Sequence, residues 1–260
     1  SPKVWASRPK RIHKIGQSID HMAIIFKFET EIYQQANIPV TFVGNPLVDK
    51  VKISENAELT RERLRNNEAK RVIGLFPGSR NSEISRLLPV MLQTAELMSK
   101  QEPTLRFVLP VANNLDMKAI KNQCAASNID ISITRDNLYD VINSCDAIVS
   151  CSGTVTLEIG LLDVPVCVIY KFSWLSYQIL SRMLTIEHFS LINIIAGKQV
   201  VLELLQDAAN PDAISQEMFK LVDNKNYREQ VLKGLQLVKD NMGPGGGSKK
   251  MAELCLSLLP

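Results

Sequence analysis

This 260-residue chain is poor in the residues that build disulfide frames and metal sites. It has five cysteines, Cys124, Cys145, Cys151, Cys167 and Cys255, an odd number with no C-x-x-C among them. Its three histidines are scattered. Neither a disulfide framework nor a zinc site is expected, and the expected setting is a reducing cytosol. Cys145 and Cys167 sit in or beside apolar runs and read as small buried hydrophobes. No apolar run approaches the ~20 residues that a membrane-spanning helix needs. No secretory leader is visible, and the opening Ser1-Pro2 without a methionine reads as a cut or processed end. Charge is nearly balanced, 30 Lys+Arg against 27 Asp+Glu, so no nucleic-acid partner is expected. The one basic cluster, Lys3 to Lys14, reads as a solvated helix face. Absent too are G-x-x-x-x-G-K-S/T and G-x-G-x-x-G, which disfavours P-loop hydrolysis and dinucleotide binding by that fingerprint.

What is present is β/α alternation. Apolar runs at 72–76, 105–111, 130–134, 147–150 and 166–170 read as five strands. Between the first two, Ile84, Leu87, Leu88, Met91, Leu92, Ala95 and Met98 fall on one helical face. Pro89 interrupts that face and is expected in the first turn of the helix, or else at a kink. Short strands joined by helices predict an α/β fold with a doubly wound, Rossmann-like parallel sheet and right-handed crossovers. In the order 3-2-1-4-5-6 the first and fourth strands are neighbours, and their loops flank the switch-point crevice. Those loops are Pro77-Gly78-Ser79-Arg80 and Cys151-Ser152-Gly153-Thr154, about 75 residues apart. Both are expected to face one anionic ligand. A helix N-terminus after Gly153 favours phosphate. Arg80 offers a fork for a diphosphate, and Glu158, one turn into the helix, can accept two ribose hydroxyls. The plainer alternatives are a Ser/Thr N-cap at 152–154, an ordinary surface Glu158 and a surface ion pair between Arg80 and Glu83. Asn193, in an apolar run, needs a partner, as a cap or toward a ligand.

The expected divisions are 1–45, the end of an incomplete N-terminal α/β lobe; 46–205, the nucleotide lobe; and 206–260, helices packing back on the first lobe or on a partner chain. Strand remnants are expected at 4–6, 22–26 and 40–44, and a charged outer helix at 58–65. Residues 172–184 read as an amphipathic helix, and the 172–197 region as an apolar surface that could accept lipid.

Several segments together resemble lipid-A-disaccharide synthases, glycosyltransferases of GT-B architecture. They are Ser1-Pro2-Lys3-Val4-Trp5-Ala6, Phe42-Val43-Gly44-Asn45-Pro46-Leu47, Phe76-Pro77-Gly78-Ser79-Arg80 with Glu83, Ser152-Gly153-Thr154-Val155-Thr156-Leu157-Glu158, and Ser190 to Gly197 with Glu203-Leu204-Leu205-Gln206. The resemblance implies two Rossmann-like lobes with the active site between them, and a catalytic aspartate in a part of the N-terminal lobe outside this chain, so that this chain alone is expected to be inactive. It departs from the family at Asn45, where a histidine is usual. It further implies a UDP-2,3-diacylglucosamine donor, a lipid-linked sugar acceptor (the diacylglucosamine 1-phosphate called lipid X), and a β-1,6 disaccharide formed with inversion. Arg80 would stabilise the leaving diphosphate, with Gly78, Ser79, Ser152, Gly153, Thr154, Glu158 and Asn193 lining the site. No cofactor and no metal are expected. The expected location is the cytoplasm, peripheral to the inner membrane, with a homodimer plausible from the terminal helices. Rival readings are another GT-B UDP-sugar enzyme, such as an epimerase or an N-acetylglucosaminyltransferase, a non-catalytic UDP-binding fragment, or a plain structural α/β domain.

Overall fold

In the computed structural model the described residues are 2, 4, 10–66, 68–127, 129–172 and 188–259. The expected strand at 4–6 and the expected helix at 172–184 fall almost wholly outside them. The described residues up to 45 form a small unit. Strands β1 (Met22–Ile24) and β2 (Val40–Phe42) pair in parallel, with Met22 opposite Val40. The helix Glu29–Gln35 connects them. A parallel pair needs such a crossover. Its own core is small: Val4, Met22, Ile24, Tyr33 and Ile38.

The second sheet has six strands: β3 (Arg71–Phe76), β4 (Leu105–Pro110), β5 (Ile131–Thr134), β6 (Ala147–Cys151), β7 (Val166–Tyr170) and β8 (Glu203–Leu205). All neighbours are parallel, in the order β5-β4-β3-β6-β7-β8. Counted within this sheet, that is the expected 3-2-1-4-5-6. The central strands are buried on both faces, as their unbroken apolar runs require. The sixth strand went unread because three residues carry no periodicity. At Gly74, in β3, an added Cβ would lie 2.7 Å from the Phe76 ring and 2.8 Å from Ile148. Gly74→Ala is therefore expected to cost about 1–3 kcal/mol by overpacking, measured as a lower midpoint in urea unfolding.

Pro89 lies inside an unbroken helix, Asn81–Gln101, and not in its first turn. The helix starts earlier because Glu83 caps it. Pro89 leaves the Ser85 carbonyl without its i+4 donor, but the helix buries Leu87, Val90 and Met91 in one core cluster and Ile84, Leu88 and Leu92 in another. Packing on both sides outweighs one lost hydrogen bond.

The helix Pro211–Asp223 packs on β6, β7 and the helix Asn81–Gln101, and Lys225–Met242 packs on Pro211–Asp223 and on the helices Thr154–Leu161 and Leu191–Ala196. Ile214, Met218, Leu221, Val231, Leu235 and Val238 belong to the main core. The end of the second helix and the turn after it meet the first unit and the connection: Asn45 N–H donates to the Met242 carbonyl at 3.3 Å, and Gly246 N–H to Asp49 at 2.9 Å.

The expected outer helix is Ala57–Arg63, capped by Asn56. It is tied down more than its charge suggests. Thr60 is buried, Arg61 pairs with Asp146 at 2.9 Å, and Arg63 pairs with Glu55 and Asp136. Before it, Asp140 accepts from the Ser54 and Glu55 N–H groups and the Ser54 hydroxyl. Burial alone would raise the Asp140 pKa, but these bonds outweigh it and hold the carboxyl below its ordinary range. The short helix Leu138–Asn143 is thereby fastened to the connection between the units.

Candidate functional site

β3 and β6 lie side by side, Phe76 opposite Ser150. The strand order reverses between them, so the loops leaving both strands share the crevice at the sheet's carboxyl edge. Together they line a cleft of about 860 Å³. Gly78, Ser79, Arg80, Ser152, Gly153, Thr154 and Glu158 all border it. The fold thus brings seven of the eight expected residues to one place.

The first loop is shaped by Glu83. Gly78 has φ +114°, a region that favours glycine, and an added Cβ would sit 2.8 Å from the Glu83 Cβ. The Glu83 carboxylate accepts the N–H groups of Ser79 (2.9 Å) and Arg80 (3.2 Å). It also accepts the Arg80 guanidinium at 2.8 Å. The ion pair weighed as an alternative for Arg80 therefore exists, yet the Arg80 side chain is 76% exposed and borders the cleft. Its remaining N–H donors are open to a ligand.

The second loop enters the helix Thr154–Leu161 through Gly153, with no side chain capping the first turn. The Ser/Thr N-cap reading is not realised. Ser152 instead donates to the Phe189 carbonyl at 3.2 Å. Gly153 is extended, φ 178°, so conformation does not demand glycine there. What matters is space: an added Cβ would meet nothing within 4 Å. Uncapped N–H groups beside open space make a ready anion seat.

Glu158 faces the same cleft and accepts the Tyr139 hydroxyl at 3.1 Å. Burial, then the Glu158 charge, raises the Tyr139 phenol to about 12, so it stays a donor. Cys151 also borders the cleft. Burial, then the Glu83 charge, raises its thiol to about 12, so it is neutral and a poor nucleophile.

Asn193 is not brought to the cleft. It is fully buried and saturated by the chain itself. Its Oδ1 accepts from the N–H groups of Val200 (2.7 Å) and Val201 (3.0 Å). Its Nδ2 donates to the Val201 carbonyl (2.9 Å) and to Glu203 (2.6 Å). Glu203 also accepts from Phe189 N–H, Ser190 N–H and the Ser190 hydroxyl. Asn193 and Glu203 thus bracket the segment whose Phe189, Leu191 and Ile194 form one wall of the cleft. Asn45 is likewise buried, its Oδ1 accepting Leu47 N–H at 3.0 Å to shape a turn. Sequence reasoning missed Tyr139 and the wall at Arg135 and Asp136, and it named Glu203 only within a family segment, without its role as the hub that holds 189–193. It took Glu83 as part of a family segment and as a surface partner of Arg80 but not as the cap, although Glu three residues past the loop is a capping-box signal.

The doubly wound lobe with its cleft at the switch point is of the GT-B-like class of α/β folds. S. aureus MnaA, solved with UDP, superposes with a TM-score of 0.60 at 15% identity, covering 94% of this chain and 63% of that one. The UDP-GlcNAc 2-epimerase of Neisseria meningitidis, bound to UDP-GlcNAc, gives 0.56 at 16%, covering 99% and 67%. The family is decided by sequence: the lipid-A-disaccharide synthetase model matches residues 1–252, and the chain belongs to that family of glycosyltransferases, which form the lipid A disaccharide. Lipid-A-disaccharide synthases of Geobacter sulfurreducens and Nitrosococcus oceani are 42% and 40% identical over 259 residues. Each match covers 100% of this chain and 67% of the relative.

Proposed function

We propose that this chain supplies the donor-nucleotide site of a lipid-A-disaccharide synthase, holding UDP-2,3-diacylglucosamine. The observation that carries this is the convergence of the 78–80 and 152–154 loops with Glu158 on one cleft. The diphosphate lies between Arg80 and the uncapped helix end at Gly153–Thr154. Glu158 takes the ribose hydroxyls. Negative charge builds on the diphosphate as the bond to the anomeric carbon breaks, and preorganised donors stabilise it there. The acceptor is lipid X, whose 6-hydroxyl attacks with inversion to give a β-1,6 disaccharide and UDP. The general base lies in the N-terminal lobe, as the family resemblance implies, and not among the cleft residues described above. The lipid substrates bring the enzyme to the cytoplasmic face of the inner membrane as a peripheral protein; among the described residues no helix is long and apolar enough to cross a bilayer.

Calorimetric titration of this chain with UDP, ADP and inorganic diphosphate tests the site. Saturable UDP binding at least about tenfold tighter than ADP, a difference of 1.4 kcal/mol, is the expected result. Equal binding of all three, or none, would sink the reading. A rival UDP-sugar substrate is excluded when UDP-2,3-diacylglucosamine outcompetes UDP-GlcNAc for the same site.

A further inference from the structure

We infer that Tyr139 is a positioning residue, one that aims the Glu158 carboxylate at the ribose without touching the nucleotide. The inference rests on the donor-site reading above and names a part of that site which sequence did not reveal. Glu158 borders the cleft, while Tyr139 reaches it only through Glu158. The hydroxyl donates to Oε1 at 3.1 Å. That leaves Oε2 and a lone pair on Oε1 for two vicinal hydroxyls. A free glutamate on an eight-residue helix samples several rotamers, and a ligand must then bear the cost of fixing one. The phenol fixes it in advance.

Tyr139 is itself held from two sides. Its N–H bonds to the capping Asn137 at 3.0 Å. Its neighbour Asp140 is buried and fastens the same helix to Ser54 and Glu55. Tyr139 and Asp140 are adjacent in sequence yet bind different neighbours: one bonds Glu158 at the cleft, the other the connection between the two units. The carboxylate that reads the ribose is thus referenced to the rigid frame of the lobe. Because the phenol remains protonated up to about 12, this aim does not change across neutral pH.

The test compares UDP with 2′,3′-dideoxy-UDP in calorimetric titrations of this chain, wild type and Tyr139→Phe. The phenylalanine keeps the ring and removes only the hydroxyl. UDP affinity is expected to fall about tenfold, on the scale of one hydrogen bond to a charged group. Dideoxy-UDP affinity is expected not to change. In a Glu158→Gln background the same Tyr139→Phe change should have little further effect on UDP, since the two act as one unit. An equal loss for both nucleotides, or no loss for UDP, would overturn the positioning role. Wild-type chain that binds UDP and dideoxy-UDP alike would instead overturn the assignment of Glu158 to the ribose. Wild-type chain that binds neither would reject the donor site itself.

Discussion

Arg80→Ala is expected to weaken UDP binding by about 100-fold while leaving uridine binding nearly unchanged, and to cut glycosyl transfer by at least as much in the complete enzyme. The guanidinium stands at the mouth of the cleft with only one of its donors engaged, at 2.8 Å on Glu83. Charge-assisted hydrogen bonds to a phosphate contribute about 1.5–3 kcal/mol each, and two at the lower end of that range account for the expected factor. Uridine carries no diphosphate and should not register the change. Folding should hardly respond, because an exposed pair such as Arg80–Glu83 contributes about 0–1 kcal/mol. Arg80→Lys separates charge from geometry: it keeps the cation but loses the planar fork, and an intermediate affinity is expected. Titration of all three forms with UDP and uridine, beside a urea unfolding curve, decides the matter. Unchanged UDP affinity in Arg80→Ala would leave the side chain as nothing more than a partner for Glu83.

The parts of this site that could be read in advance are those encoded in neighbouring residues. Strand and helix runs announce themselves by local periodicity, and the order of a doubly wound sheet follows from handed crossovers. Hence Gly78 to Arg80 and Ser152 to Glu158 could be brought together on paper. What escaped is encoded by partners far apart in the chain. Tyr139 meets Glu158 across 19 residues, and Asp140 meets Ser54 across 86. No periodicity records such pairs. β8 escaped for a different reason: its three residues pair with β7, and the sheet rather than their own pattern makes them a strand. The placement of 211–242 depends on which apolar surface the two helices find first, and amphipathicity names a face without naming its partner. Pro89 shows the converse, a strong local signal overruled because the helix around it is buried on two sides.

Asn193→Asp is expected to destabilise the folded chain by about 3 kcal/mol while leaving UDP affinity of the folded fraction close to wild type. Asn193 is the one expected ligand group that the fold turns inward. Its four bonds are of matched polarity: two N–H groups reach Oδ1, and Nδ2 reaches a carbonyl and a carboxylate. Aspartate keeps the accepting side but not the donating one. It sets a second carboxylate against Glu203 and the Val201 carbonyl at a position that is itself fully buried. An unsatisfied buried group costs about 1–3 kcal/mol, and a buried like-charge contact adds to it unless a proton is taken up. Since that proton restores one donor, part of the lost stability should return as pH falls toward the carboxylate range. Urea unfolding at two pH values, with a UDP titration under native conditions, separates the two roles. A variant as stable as wild type that no longer binds UDP would make Asn193 a ligand group after all, and would require the 189–194 wall to open far enough for the nucleotide to reach it.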